Sequence, residues 1–186
     1  MSAVRRVSSP KGKKTKKTPA IIYPKIADYL VQKGEKQDDC LNTPLLPVNM
    51  RLLRTNKRYR KMIENILGYM ELSMGKYADY PALKGISGAN VGIPFNIAIV
   101  ATTKGNEIMI NPKILAKCGS RVVKSNCGSL RLKEPIEVVR HKIVIVEFNT
   151  HVFPKFERIK VKFKGAEAAT AQHEIDHNNG IMINSL

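Results

Sequence analysis

A chain of 186 residues, 43% of them hydrophobic, is long enough for one domain with a proper core and too short for two full ones. Lys and Arg number 32 against 15 Asp and Glu, and the formal net charge of +17 predicts attraction to polyanions, nucleic acid foremost. No apolar run approaches bilayer length, no secretory h-region follows Met1, and Cys40, Cys118 and Cys127 lack the paired spacing of a disulfide framework, so the expectation is a soluble, intracellular protein with no membrane role.

Residues 1–20 carry Arg5, Arg6, Lys11, Lys13, Lys14, Lys16 and Lys17, with no acidic residue before Asp28. Such a segment buries too little apolar surface to fold, and reads as a disordered basic arm ahead of a single domain over 21–186. It suits a contact to RNA phosphates or, as the alternative, an organelle presequence, although its lysine cluster with Pro and Gly weakens the amphipathic helix a presequence needs. Residues 21–56 read as irregular, punctuated by Pro24, Pro44 and Pro47. A helix follows, because Tyr59, Met62, Ile63, Ile66, Leu67, Met70 and Met74 recur at helical spacing with charged residues opposite, and Gly75 is its expected stop. That Met-rich stripe reads as core packing.

Beyond Tyr80-Pro81 the pattern changes to strands. Ile97 to Val100 and Ile108 to Ile110 flank a hairpin loop at Lys104-Gly105-Asn106. Residues 136–148 form a long β-branched run, and Ile159, Val161 and Phe163 alternate with Lys160, Lys162 and Lys164 to give a strand with one wet, basic face. A last helix is expected from about Ala166 to His177, stopped by Asn178-Asn179-Gly180. Its Ala-rich first half permits close approach to strands, and Ile175 falls roughly 200° around from His173, away from the histidine side. The expected class is α+β, with antiparallel strands around a C-terminal helix.

That helix carries His173-Glu174-Ile175-Asp176-His177. Residues i and i+4 share a helical face, so both imidazoles reach one metal ion, with Glu174 close enough to exchange protons with a water activated there. Exposed, solvated histidines are the plain alternative. Two imidazoles leave a ligand set incomplete. Only Asn184 and Ser185 are polar after Gly180, so the third ligand is expected upstream. Cys127, in the small-residue turn Ser125-Asn126-Cys127-Gly128-Ser129, is the best candidate, with Cys118, Cys40, His141 and His151 as alternatives. Asp176 is a natural orienter of a ligand.

The chain resembles the peptide deformylases, which carry motifs of the form GxGLAAPQ, EGCLS and QHExDHxxG. Residues Gln172 to Gly180 match the third in full, Cys127 falls where the second places its metal-binding Cys, and Gly85 to Pro94 resemble the first. The likeness spans roughly residues 58–183. There are departures: Asn90 stands for the first motif's Gln, Ser87 and Gly88 for its alanines, and Ser125, Asn126 and Gly128 for the second motif's Glu, Gly and Leu. That Glu pairs in the family with an Arg whose counterpart here is Arg140, so Arg140 is expected to lack its usual partner. The short C-terminus resembles deformylases encoded by bacteriophages.

The resemblance implies hydrolysis of the N-formyl group from the N-terminal methionine of nascent polypeptides. Cys127, His173 and His177 would hold one divalent metal, Fe2+ by resemblance with Zn2+ as the other candidate, and Glu174 would be the general base. The Asn90 amide and the Gly128 N–H would steady the developing oxyanion. The expected setting is a monomer in the cytoplasm of a bacterial or phage-infected cell, near ribosomes that the basic arm would touch. Two competing readings are a catalytically impaired deformylase-like protein that binds RNA or ribosomes, and a small metalloprotease, which the lack of a downstream ligand opposes.

Overall fold

The computed structural model describes residues 39–76, 84–130 and 134–186; the expected basic arm lies outside them. One antiparallel sheet runs in the order β1 (Gly85–Ser87), β2 (Ile97–Thr102), β3 (Gly105–Ser125), β4 (Ile136–Asn149) and β5 (Arg158–Lys164). Among the described residues four α-helices accompany it: α1 (Asp39–Asn42), α2 (Met50–Thr55), α3 (Lys57–Lys76) and α4 (Gly165–Asn178). This is the expected α+β arrangement of antiparallel strands around a C-terminal helix. Among the described residues, no helix is long and apolar enough to cross a membrane.

β2 explains how one sheet carries two cores. Alternate residues of a strand face opposite sides. Ile97 and Ile99 join Ile63, Ile66, Leu67 and Met70 of α3 on one side, while Ala98 and Val100 join Val144, Val146, Phe163 and the α4 residues Ala168, Ala171 and Ile175 on the other. A strand covered on both faces reads as an unbroken apolar run, which is how Ile97 to Val100 stands in the sequence. Ile175 does face the sheet, as its angular position predicts.

Two expectations need correction. Residues 21–56 are not wholly irregular, because α1 and α2 fall among them; α2 is started by Asn49, whose Oδ1 accepts from the Leu52 N–H at 3.0 Å, a capping device too local to leave an apolar period. α3 ends at Lys76, one residue past the expected stop at Gly75 and within the scatter of helix ends. β3 extends far beyond Ile110, to Ser125. Its outer half is largely exposed and polar, so apolar alternation is weak, and pairing with β4 rather than burial keeps it extended.

The segment after α1 straps the end of α4. The Leu45 N–H donates to the Asn178 carbonyl at 2.8 Å, and Pro44 bridges Asn179. Gly180, at φ 72°, lies so near this strap that an added Cβ would stand 2.8 Å from the Thr43 carbonyl carbon. A side chain there meets both left-handed strain and a backbone clash. Gly180→Ala is therefore expected to lower stability by about 2–4 kcal/mol, read as the shift in a urea unfolding midpoint.

Candidate metal centre

α4 approaches the sheet on a face of small residues. Ala168 and Ala171 are fully buried, and Gly85 of β1 lies against the same helix: a Cβ at position 85 would stand 2.6 Å from Thr170 Cγ2 and 2.8 Å from Glu174 Cγ. Gln172 locks the helix to β4 by treating it as a strand partner. Its Oε1 accepts from the His141 N–H at 3.0 Å, and its Nε2 donates to the His141 carbonyl at 3.0 Å.

This close docking brings one face of α4 against the turn after β3. His177, fully buried, has its Nε2 3.3 Å from Cys127 Sγ and 3.1 Å from His173 Nε2, and the three ligand atoms all lie within 4.8 Å of one another. With Zn–N near 2.0–2.1 Å and Zn–S near 2.3 Å, the edges of a tetrahedral site are about 3.3–3.6 Å, so the separations of His177 Nε2 from Cys127 Sγ and His173 Nε2 suit donors sharing one ion. Of the upstream candidates, Cys127 is the one brought to the histidines. Cys118 is exposed on β3, and the His141 ring faces Gln172 Oε1 at 3.1 Å. Cys40 and His151 do not join the cluster among the described residues.

Burial biases every group here toward its uncharged form. It pushes the Cys127 thiol up to about 11, partly offset by the Ser129 N–H, while the Glu174 charge raises it further. It lowers His177 to about 4 and, with the His177 charge added, holds His173 well below its ordinary range. Glu174 is buried, its Oε2 has no hydrogen-bond partner among the described residues, and burial raises its pKa to about 8 against the pull of Arg140. A thiol, two rings and a carboxyl that are each unfavourable to charge singly are the set a cation would stabilise together.

Arg140 is not left without a partner. Its Nη1 donates to Asp176 Oδ2 in a short, largely buried ion pair. Asp176 thus engages a strand arginine, a role its position beside His177 did not disclose. Asn90 is also committed: its Oδ1 accepts from the Ser87 N–H at 2.8 Å and from Ser87 Oγ at 2.6 Å, and its Nδ2 donates to Ser129 Oγ at 3.0 Å. Sequence reasoning passed over Ser129; the available signal was a hydroxyl two residues beyond Cys127. Gly128 lies in the same turn as Cys127.

A sheet and docked helix that converge a thiol and two imidazoles beside a buried carboxyl define a class, an α+β protein suited to holding a single metal ion. More narrowly, the chain belongs to the polypeptide deformylase family, whose model matches residues 31–185. It is 38% identical over 79 residues to the peptide deformylase of Streptococcus thermophilus, a match covering 41% of this chain and 37% of that protein. The peptide deformylase of Halalkalibacterium halodurans is 29% identical over 146 residues, 73% of this chain and 78% of that one. A class I type b peptide deformylase from Acinetobacter baumannii superposes with TM-score 0.71 at 26% identity, covering 84% of this chain and 97% of that chain; another structure of that protein, with Met-Ala-Ser bound, gives TM-score 0.68 at 25% identity over 83% and 94%. The family implies a catalytic metal, and the Cys–His–His group is present.

After chelation, the raised Glu174 pKa has a defined consequence. Between pH 6.5 and 8 the folded carboxyl keeps a proton that the unfolded one, with an ordinary value of 4.5, has lost. The folded state then binds more protons, so stability falls as pH rises, by about 2 kcal/mol across that interval for one fully linked group. Up to about pH 7.5 the histidines act in the opposite sense, since unfolded rings with an ordinary value of 6.5 take up protons that the buried ones refuse, and the net fall is then about 1 kcal/mol. Urea midpoints of the chelated protein should therefore decline from pH 6.5 to 8 and lose that slope in Glu174→Gln; a rise over this range would contradict the assignment.

Proposed function

We propose that the chain removes the N-formyl group from the N-terminal methionine of newly made polypeptides. The observation that carries this is the cluster of Cys127, His173 and His177 within 4.8 Å, on the helix that also bears buried Glu174, in a chain of the deformylase family. The Acinetobacter baumannii relative binds Met-Ala-Ser, a peptide that begins with methionine.

In this reading Cys127, His173 and His177 hold one divalent ion, Fe2+ by family resemblance with Zn2+ equally suited to one sulfur and two nitrogens. Bound there, such an ion supplies Lewis acidity that sharpens a water as nucleophile and polarises the formyl carbonyl. Glu174 accepts the proton of that water. A cation held beside it would favour its carboxylate form, able to take that proton, and it then delivers the proton to the departing methionine amine as formate leaves. The Asn90 amide, oriented by Ser87 and Ser129, and the Gly128 backbone serve the oxyanion. Arg140, tied to Asp176, keeps a positive charge near Glu174 that limits how far burial raises its pKa.

The test is formate release from a formyl-Met peptide. Glu174→Ala should lower it by ~10²–10⁴-fold with metal content retained, whereas Cys127→Ala should lose the metal itself. Unchanged release in Glu174→Ala would remove the proposed base. A metal-free Cys127→Ala is the result expected of a ligand and not of a buried structural thiol.

A nascent-chain substrate also gives the net charge of +17 a role. We propose that the protein acts as a monomer in the bacterial cytoplasm and that residues 1–20 contact ribosomal RNA. Co-sedimentation with ribosomes should weaken steeply with salt and fall when residues 1–20 are deleted; an unchanged pellet fraction would take the arm out of the account.

A further inference from the structure

The β3–β4 register sets Arg121 directly opposite Arg140. Opposed residues of an antiparallel pair share a face with Cβ atoms about 4.5–5.5 Å apart, a poor arrangement for two like charges. The face is the inner one, because Arg140 is only 5% exposed and pairs with Asp176 of α4. Ser125, on the same face of β3, brings no charge. Among the described residues Asp176 is the carboxylate that pairs with Arg140, and it does so through Nη1. It also feels the charge of Lys117. Two donors are left over: Arg140 Nη2 and Arg121 Nε are both buried, with no hydrogen-bond partner among the described residues. Buried donors on charged groups are costly to leave unmade, and here two from arginines opposed across the β3–β4 ladder go unanswered.

We propose that Arg121 and Arg140 form a site for a small oxyanion that bridges Arg121 Nε and Arg140 Nη2. Arg121 is half-exposed, so the ion enters from its side of the hairpin. A planar guanidinium presents paired N–H groups that match the oxygens of a carboxylate, sulfate or phosphate, and two of them supply what a single lysine does not. Bound there, the anion balances the second arginine and completes the donors of Arg140. That secures Arg140 against Asp176 and so fastens the β3–β4 hairpin to the helix of the metal centre. The inference does not rest on the reaction proposed above. Oxyanion held at the metal would depend on Cys127, His173 and His177 and would survive loss of Arg121.

The experiment is equilibrium dialysis of the metal-loaded protein against radiolabelled sulfate at constant ionic strength in chloride, with acetate as a competitor to read whether carboxylates share the site. Wild type should show one saturable sulfate per chain. Arg121→Gln should weaken it about tenfold or more, the scale of one charge-assisted hydrogen bond. Arg121→Lys, which keeps the charge and loses the fork, should weaken it too and carries the test if the Gln variant does not fold. Lys124→Gln removes the same charge from the opposite, exposed face of β3 and should leave the site intact. The proposal is overturned by a wild type without a saturable site, by equal affinity in the Arg121 variants, or by an equal loss in Lys124→Gln, which would mark general attraction to a cationic surface.

Discussion

Everything at the metal centre depends on how near α4 can come to the sheet. Two fully buried alanines on the helix and a glycine on β1 remove the side chains that would hold the two apart. Gln172 then joins helix to strand by hydrogen bonds to both backbone groups of His141, so that α4 acts as an extra neighbour at the edge of β4. Only at this separation does His177 sit fully buried with its Nε2 3.3 Å from a sulfur on the turn after β3. A larger residue anywhere on that contact would move two ligands on the helix relative to the one on the sheet. The strap through Leu45 and Pro44 closes the far end of the helix for the same reason.

The same closeness sets the electrostatics. Removing four ionisable groups from water makes each resist charge, so Cys127 and Glu174 are raised while both imidazoles are lowered. Such a cluster is poised between protons and a metal ion. Protons fill it at low demand for charge, and a divalent cation favours the thiolate and the neutral rings together. Arg140 stands beside this cluster as a fixed positive charge, which tempers the rise at Glu174 and reinforces the fall at both histidines. Its pairing with Asp176 therefore links the outer hairpin to the proton balance of the site.

The family's motifs are altered here in ways that the structure makes coherent. With Asn90 in the first motif, the amide is drawn toward Ser87 on one side and Ser129 on the other, so the first motif and the cysteine turn are joined by one short chain of hydrogen bonds. With Ser125 in the second, no carboxylate from that turn reaches Arg140, and Asp176 carries the ion pair alone among the described residues. Both changes shift polar partners without disturbing Cys127, which lies in a small apolar nest with Leu41, Ala89, Val138, Met182 and Ile183.

How much was legible in the sequence depends on how local the cause was. The amphipathic period of α3, the apolar run of β2 and the alternation of β5 each follow from one element meeting one environment, and they read directly. The caps of α2 and the exposed reach of β3 left no such period, because a capping asparagine acts over three residues and strand pairing needs no apolar face. At the site, helical geometry alone put His173 and His177 on one face with Glu174 beside them. The partner of Arg140, the double commitment of Asn90 and the choice of Cys127 over Cys118 belong to the tertiary structure, since each joins residues from 36 to 50 positions apart. The sequence determines which chemical groups exist and how neighbours along one helix are aimed. Which distant groups share a point in space is decided by the packing of α4 on the sheet, because only burial brings separate elements to the few ångströms over which ligands and ion pairs act.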